Sequence, residues 1–301
     1  MRARTGLLLQ AVLAVLISQP AVGQVPRTDG ASLEPSSTRS QVAQGDAHYE
    51  KRQEGHAGGS ADSAEILGAV SSYEAAARSP DEAEARWKLA RALYFRGAYT
   101  AIEPTERRSI YEEARRISEE AFAIVDRRSG SAHKGGLPPI SAAPALRSDS
   151  DAAPVLFWGS VAWGQWALSV GKVEAARMGA ASRIRDIAQL LIALDPEFEE
   201  GGGYRILGRL HDEAPKIPFV TWWVSRAEAL ANLRRAVAVA PRNPINRHFL
   251  AEALARGSVS EKEEAARLEE EVLATPPSPD HLVEELHVQD DAKRNLALWK
   301  R

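Results

Sequence analysis

The chain has 301 residues, 44% of them hydrophobic and 26% charged, with a formal net charge of −3 and no cysteine. The lack of cysteine excludes a disulfide framework, thiolate chemistry and a lipid-accepting cysteine. A mildly acidic balance gives a phosphate backbone nothing to hold, so no nucleic-acid partner is expected.

Residues 1–23 place Arg2 and Arg4 before an apolar run from Leu7 to Ile17, followed by Pro20 and the small-x-small triplet Ala21-Val22-Gly23. This is the pattern of a secretory signal peptide cleaved before Gln24. The run is roughly half the ~20 apolar residues a membrane span needs. The mature chain is therefore expected to be soluble, periplasmic or secreted, and not a lipoprotein. Residues 24–63, rich in Ser, Gly, Gln and charge, are too polar to form a core and are expected to be a disordered tail with at most a short helix near Asp46–Arg52.

Residues 64–301 form the expected folded domain. Ala69, Tyr73 and Ala76, closed by Pro80, have the spacing of a second hairpin helix whose first partner is missing. A pair follows at 81–99 and 106–127, with stripes of Trp87, Ala90 and Tyr94 and of Ala114, Ser118 and Ala121, and a bend marked by Gly97, Tyr99 and Pro104. Periodicity then fails through 128–154, the density of Gly, Ser and Pro there predicting an exposed loop. The helix predicted at 155–171 has no polar face: Trp158, Ala162 and Trp166 lie on one side, Phe157, Val161, Gly164 and Leu168 on another, so it must be central. A helix at 173–194 ends at Asp195-Pro196.

The clearest hairpin is Phe198–Pro241. Tyr204, Leu207, Gly208 and His211 fall at i, i+3, i+4 and i+7, with the glycine thin enough to admit a neighbouring helix, and Ala229, Leu233 and Ala236 repeat the idea before Pro241. Helices at 246–256 and 261–274 make another hairpin, in which Ala265 precedes Pro277 by the twelve residues that separate Ala229 from Pro241. A helix at 281–299 would cap the stack. The fold class is accordingly all-α: stacked helical hairpins, a tetratricopeptide-like α-solenoid with irregular inserts.

Little in the chain points to chemistry. His281 and His287 are spaced i, i+6 rather than the i, i+4 of a zinc helix, and the glycines Gly201–Gly203 lack the preceding strand and following Lys-Ser/Thr of a phosphate loop. His211, on its apolar stripe, is expected to be a hydrogen-bonded core residue. No catalytic residue, metal or cofactor is expected, and the chain reads as a binding protein rather than an enzyme. The candidate contact residues are aromatic: Phe219, Trp222 and Trp223, in a connection where polar side chains are the rule, with Trp158 and Trp166 as deeper lining.

The helix at Trp158–Ala167, the block LDPEFEEGGGYRILGRLH at 194–211 and the helix at Ala227–Pro241 resemble the T-component of tripartite ATP-independent periplasmic (TRAP) transporters over a third of the chain. The resemblance implies a periplasmic accessory that docks the transporter's substrate-binding protein and passes or binds an apolar small molecule, with homo-oligomerisation open. The alternative is a general tetratricopeptide-type envelope scaffold for protein–protein assembly.

Overall fold

A computed structural model describes residues 35–130 and 136–299. The signal-peptide segment and residues 24–34 lie outside the described residues. Among the described residues every regular element is a helix, and the only extended pairings are two isolated bridges, Ala57 with Ser60 and Ala61 with Thr100.

Five antiparallel hairpins and a cap follow one another: α1 (Pro35–Glu50) with α2 (Ala64–Ala76), α3 (Ala83–Tyr99) with α4 (Pro104–Arg128), then a short α5 (Ala143–Leu146) before α6 (Ala152–Val170). A second short helix, α7 (Lys172–Arg177), leads into α8 (Ala180–Leu194), the partner of α6. The hairpins α9 (Phe198–Glu213) with α10 (Arg226–Val239) and α11 (Pro244–Leu254) with α12 (Val259–Ala274) precede the cap α13 (Leu282–Trp299). This is the tetratricopeptide-like α-solenoid the periodicity predicts.

The spacings that define the second helices are the buried ones. Ala69, Tyr73 and Ala76, then Ala229, Leu233 and Ala236, and Ala265, are all fully buried, so each outer helix presents a small-residue stripe on which the hairpin closes. Helix starts are fixed locally. Pro104 and Pro244 occupy first turns, where the missing amide costs nothing, the Asn243 side chain accepts from Asn246 N, and Ser258 with Glu261 completes a capping box.

Three expectations are corrected. Within the segment expected to be a tail, residues 35–50 form α1, the missing first helix: Val42 and Tyr49 are buried, and Asp46 accepts from the Tyr73 hydroxyl and from Lys88 Nζ, both at 2.7 Å. Its stability comes from tertiary packing, to which composition is blind. The segment 128–154 is not simply an exposed loop, because α5 seats Ala143 and Leu146, both buried, against α8; residues 131–135 lie outside the described residues. The helix expected at 173–194 is broken at Gly179, whose φ of 84° is the left-handed conformation that separates α7 from α8.

The glycines of α9 serve contact on three sides. Glu199, Glu200 and Gly201 are left-handed, with φ of 49°, 55° and 81°, so the regular part of α9 starts at Gly202. A Cβ on Gly202 would lie 2.6 Å from the Phe157 ring of α6, one on Gly203 2.8 Å from Ile192 of α8, and one on Gly208 2.7 Å from Leu233 of α10. Side chains at these points would push the helices apart.

Candidate binding cavity and exposed aromatic insert

The first helices of the hairpins face a common interior. Residues of α1, α3, α6, α9, α11 and α13 line a central cavity of about 1610 Å³. The cap forms one of its sides: Arg52, just after α1, donates to Glu284 of α13 at 3.0 Å, Gln53 Nε2 donates to Pro279 O, and Val283 N donates back to Gln53 Oε1. The end of the chain thus packs on its first connection, and the Tyr99 and His287 rings meet edge to face at 5.5 Å.

One wall is aromatic. Tyr94 of α3 lies 5.9 Å from Trp158 of α6, and Trp158 lies 5.0 Å from Phe157. Leu168 and Gly164 continue this wall along α6, and a Cβ added at Gly164 would meet nothing within 4 Å. A charged region adjoins this wall, with Arg205 5.7 Å from the Phe157 ring. Arg205 is buried among the lining residues, its Nη1 donating to Glu199 O at 3.2 Å and to Asn246 Oδ1 at 2.8 Å. Asn246, wholly buried, returns its amide hydrogens to Glu200 O and Ala236 O. The left-handed turn at 199–201 therefore aims two carbonyls at a buried polar junction, which compensates its strain.

Electrostatics vary around the ring. Burial draws the pKa of Arg205 down, opposed by the charges of Glu199 and Glu200. Burial pushes the Glu284 carboxyl up, but the neighbouring His281 imidazole and the Arg52 guanidinium outweigh it and hold it below its ordinary range. His281 is raised, chiefly by the Glu284 carboxylate 4.0 Å from its Nδ1. Tyr94 and Tyr99, hydroxyl to hydroxyl at 2.9 Å, are both raised by burial.

The structure separates the candidate contact residues. Trp158 lines the cavity. Trp166 does not: it is buried beside Trp163, with Arg115 over its ring at 4.8 Å, and is core rather than lining. Phe219, Trp222 and Trp223 sit in the connection between α9 and α10, away from the cavity lining. Trp223 is half-buried, edge to face with His211 at 5.3 Å and beneath Arg185 at 4.6 Å. Phe219 and Trp222 are 97% and 66% exposed. A tight turn holds them out: Ile217 O accepts from Thr221 N, and Thr221 Oγ1 accepts from Ile217 N and donates to Pro215 O. Phe219 itself has a φ of 63°, a left-handed conformation uncommon for a bulky residue.

Leu207, Gly208, Ala229 and Ala236 are buried between α9 and α10, Tyr204 is half-buried, and Pro241 follows the end of α10. His211 is core, its Nδ1 accepting from Ser225 N at 3.2 Å. Periodicity missed Arg205, Asn246 and Arg52, whose partners lie 41 and 232 positions away. Among the described residues no group of three His, Asp or Glu side chains is placed to hold a metal ion, and no helix is long and apolar enough to cross a membrane.

Fold and cavity together define a tetratricopeptide-like helical repeat protein. No family model matches the chain, and no curated protein is similar to it. Solved structures similar to it include two from yeast. The TPR2AB domain of yeast Sti1 in complex with pHSP90 matches at 15% identity over 89% of this chain and 100% of its own, with a TM-score of 0.31. Yeast Tom70 matches at 14% identity over 90% of this chain and 67% of its own, with a TM-score of 0.27.

Proposed function

We propose that the protein is a non-enzymatic scaffold of the cell envelope that docks a partner protein through the insert between α9 and α10. The observation that carries this reading is the outward display of Phe219 and Trp222 on a turn locked by Thr221. Exposed aromatics on a rigid turn are costly in water and suited to a partner pocket, since each can bury about 150–250 Å² with few rotors to freeze. The apolar run at the N-terminus supports export to the periplasm or beyond.

In its finer form the reading makes the protein the T-component of a TRAP-type transporter, docking the periplasmic substrate-binding protein. The resemblance over Val155 to Ala255 and the central cavity, large enough for a small molecule, support this form. Photo-crosslinking from position 219 in the native host tests both. A substrate-binding protein in the adduct supports the transporter role, and another envelope protein supports the general scaffold. Its purified form should then bind Trp222→Ala about 30-fold more weakly, equivalent to ~2 kcal/mol. Equal binding by the variant would remove the insert from the docking role.

A further inference from the structure

We propose that the central cavity binds an amphipathic carboxylate, its head held side-on by Arg205 and its apolar body laid along the aromatic wall of α3 and α6. The site is distinct from the docking insert, so either can fail without the other.

Arg205 is only 8% exposed, yet among the described residues no carboxylate lies within ion-pair distance of it. Of the other arginines and lysines lining the cavity, Arg52 is paired with Glu284, Lys88 with Asp46 and Glu84, Lys172 with Glu213, and Arg209 with Glu252. Arg91 and Arg107 have no such pair among the described residues but are only half-buried, and Arg91 lies over the Tyr49 ring at 3.8 Å. A buried charge lacking a counter-ion is costly, which makes the position favourable to an incoming anion. Both Nη1 hydrogens are committed, to Glu199 O and Asn246 Oδ1. Nε and Nη2 form the remaining edge of the guanidinium, and this is the edge that takes the two oxygens of a carboxylate in parallel.

The fork is oriented before any ligand arrives. Asn246 is itself fixed by Glu200 O and Ala236 O, and the left-handed turn at 199–201 holds the carbonyl that Arg205 needs. Such preorganisation lowers the ordering cost of binding. Arg205 lies over the Phe157 ring at 5.7 Å, so the proposed head position opens directly onto the wall of Phe157, Trp158 and Tyr94. From there the cavity runs along α6 past Gly164 to Leu168, 53% exposed, which gives an apolar tail its path. The charges of Glu199 and Glu200 reach Arg205. Each negative charge on a ligand meets their repulsion, so a singly charged carboxylate is favoured over a doubly charged phosphate monoester.

Calorimetric titration of the full chain with decanoate, decan-1-ol and decyl phosphate tests the proposal. Decanoate should bind at one site at least ten-fold more tightly than either analogue, and Arg205→Gln should reduce it to the level of the alcohol. Since Arg205 also ties α9 to α11, Gly164→Phe provides a variant that leaves this junction intact: its Cβ enters open space, so the ring fills the cavity while the melting temperature holds. It should abolish decanoate binding. Equal affinity for decanoate and decan-1-ol, tighter binding of decyl phosphate, no decanoate binding, or undiminished binding by Gly164→Phe would each overturn the proposal.

Discussion

Arg52 donates from Nε and Nη2 to one oxygen of Glu284, at 3.2 and 3.0 Å, and so joins the first helical connection to the last helix across 232 positions of sequence. Both side chains are nearly buried, at 8% and 12% exposure. Removing one partner leaves the other charge uncompensated, at a cost of about 3–5 kcal/mol. Arg52→Ala should lower the denaturant midpoint and speed amide exchange in α13 well before it does so in α6. Uniform exchange would mean that α13 is held by α11 and α12 alone.

The same junction confers a pH dependence. Glu284 has a folded pKa below its ordinary value of 4.5, so its contribution is complete above 4.5 and is lost as pH falls through the folded pKa. His281 is raised above 6.5, so its contribution is complete below 6.5 and is lost as pH rises through its folded pKa. Both act fully between those values. The difference in melting temperature between the wild type and Glu284→Gln should therefore peak between pH 4.5 and 6.5 and shrink on either side. A difference independent of pH would show that neither titration is coupled to folding.

At the crossing of α9 and α10, Gly208 leaves no space for a side chain, since its Cβ would lie 2.7 Å from Leu233 Cγ and 3.0 Å from Leu233 N. Gly208→Leu should destabilise the chain by roughly 1–3 kcal/mol through overpacking. Urea unfolding measures this, and an unchanged midpoint would mean that the helices separate freely there.

This crossing was legible in the sequence because Gly208, Leu233 and their stripes lie on strongly periodic helices. Helix α1 was not. Its side chains are mostly polar, and its burial rests on a few positions, Thr38, Val42 and Tyr49, that become a face only when α2 is present. The Arg205–Asn246 junction was hidden for a related reason: it depends on the path of the solenoid, which no window of sequence contains. Trp158 and Trp166, four-residue neighbours twice over on one helix, looked equivalent, yet their angular offset on α6 sends one to the cavity and the other to the core.

Loss of α1 should be felt throughout the first hairpins. It covers Tyr73, which is fully buried, and supplies Asp46 to the Tyr73 hydroxyl and to Lys88. Deletion of residues 1–63 should lower the melting temperature by many degrees and expose α2 to protease. A midpoint equal to that of the full chain would show that α1 is dispensable.

Trp222 and Trp223 are adjacent in sequence and opposite in environment, which permits a test on two substitutions. Trp223 packs its half-buried ring against His211 and under the Arg185 guanidinium, so Trp223→Ala removes an edge-to-face contact and a cation–π contact along with apolar burial. The expected loss is about 2 kcal/mol of stability, below the 3–5 kcal/mol of a fully buried tryptophan because part of the ring already meets water. Trp222, 66% exposed, has little packing to lose, and Trp222→Ala should leave the melting temperature within a degree or two. Its effect should appear instead in affinity for the crosslinked partner. Measuring melting and affinity on both variants separates packing from docking: a strong destabilisation by Trp222→Ala would place that indole in the core, whereas a stable variant with undiminished affinity would leave its exposure without a role in recognition.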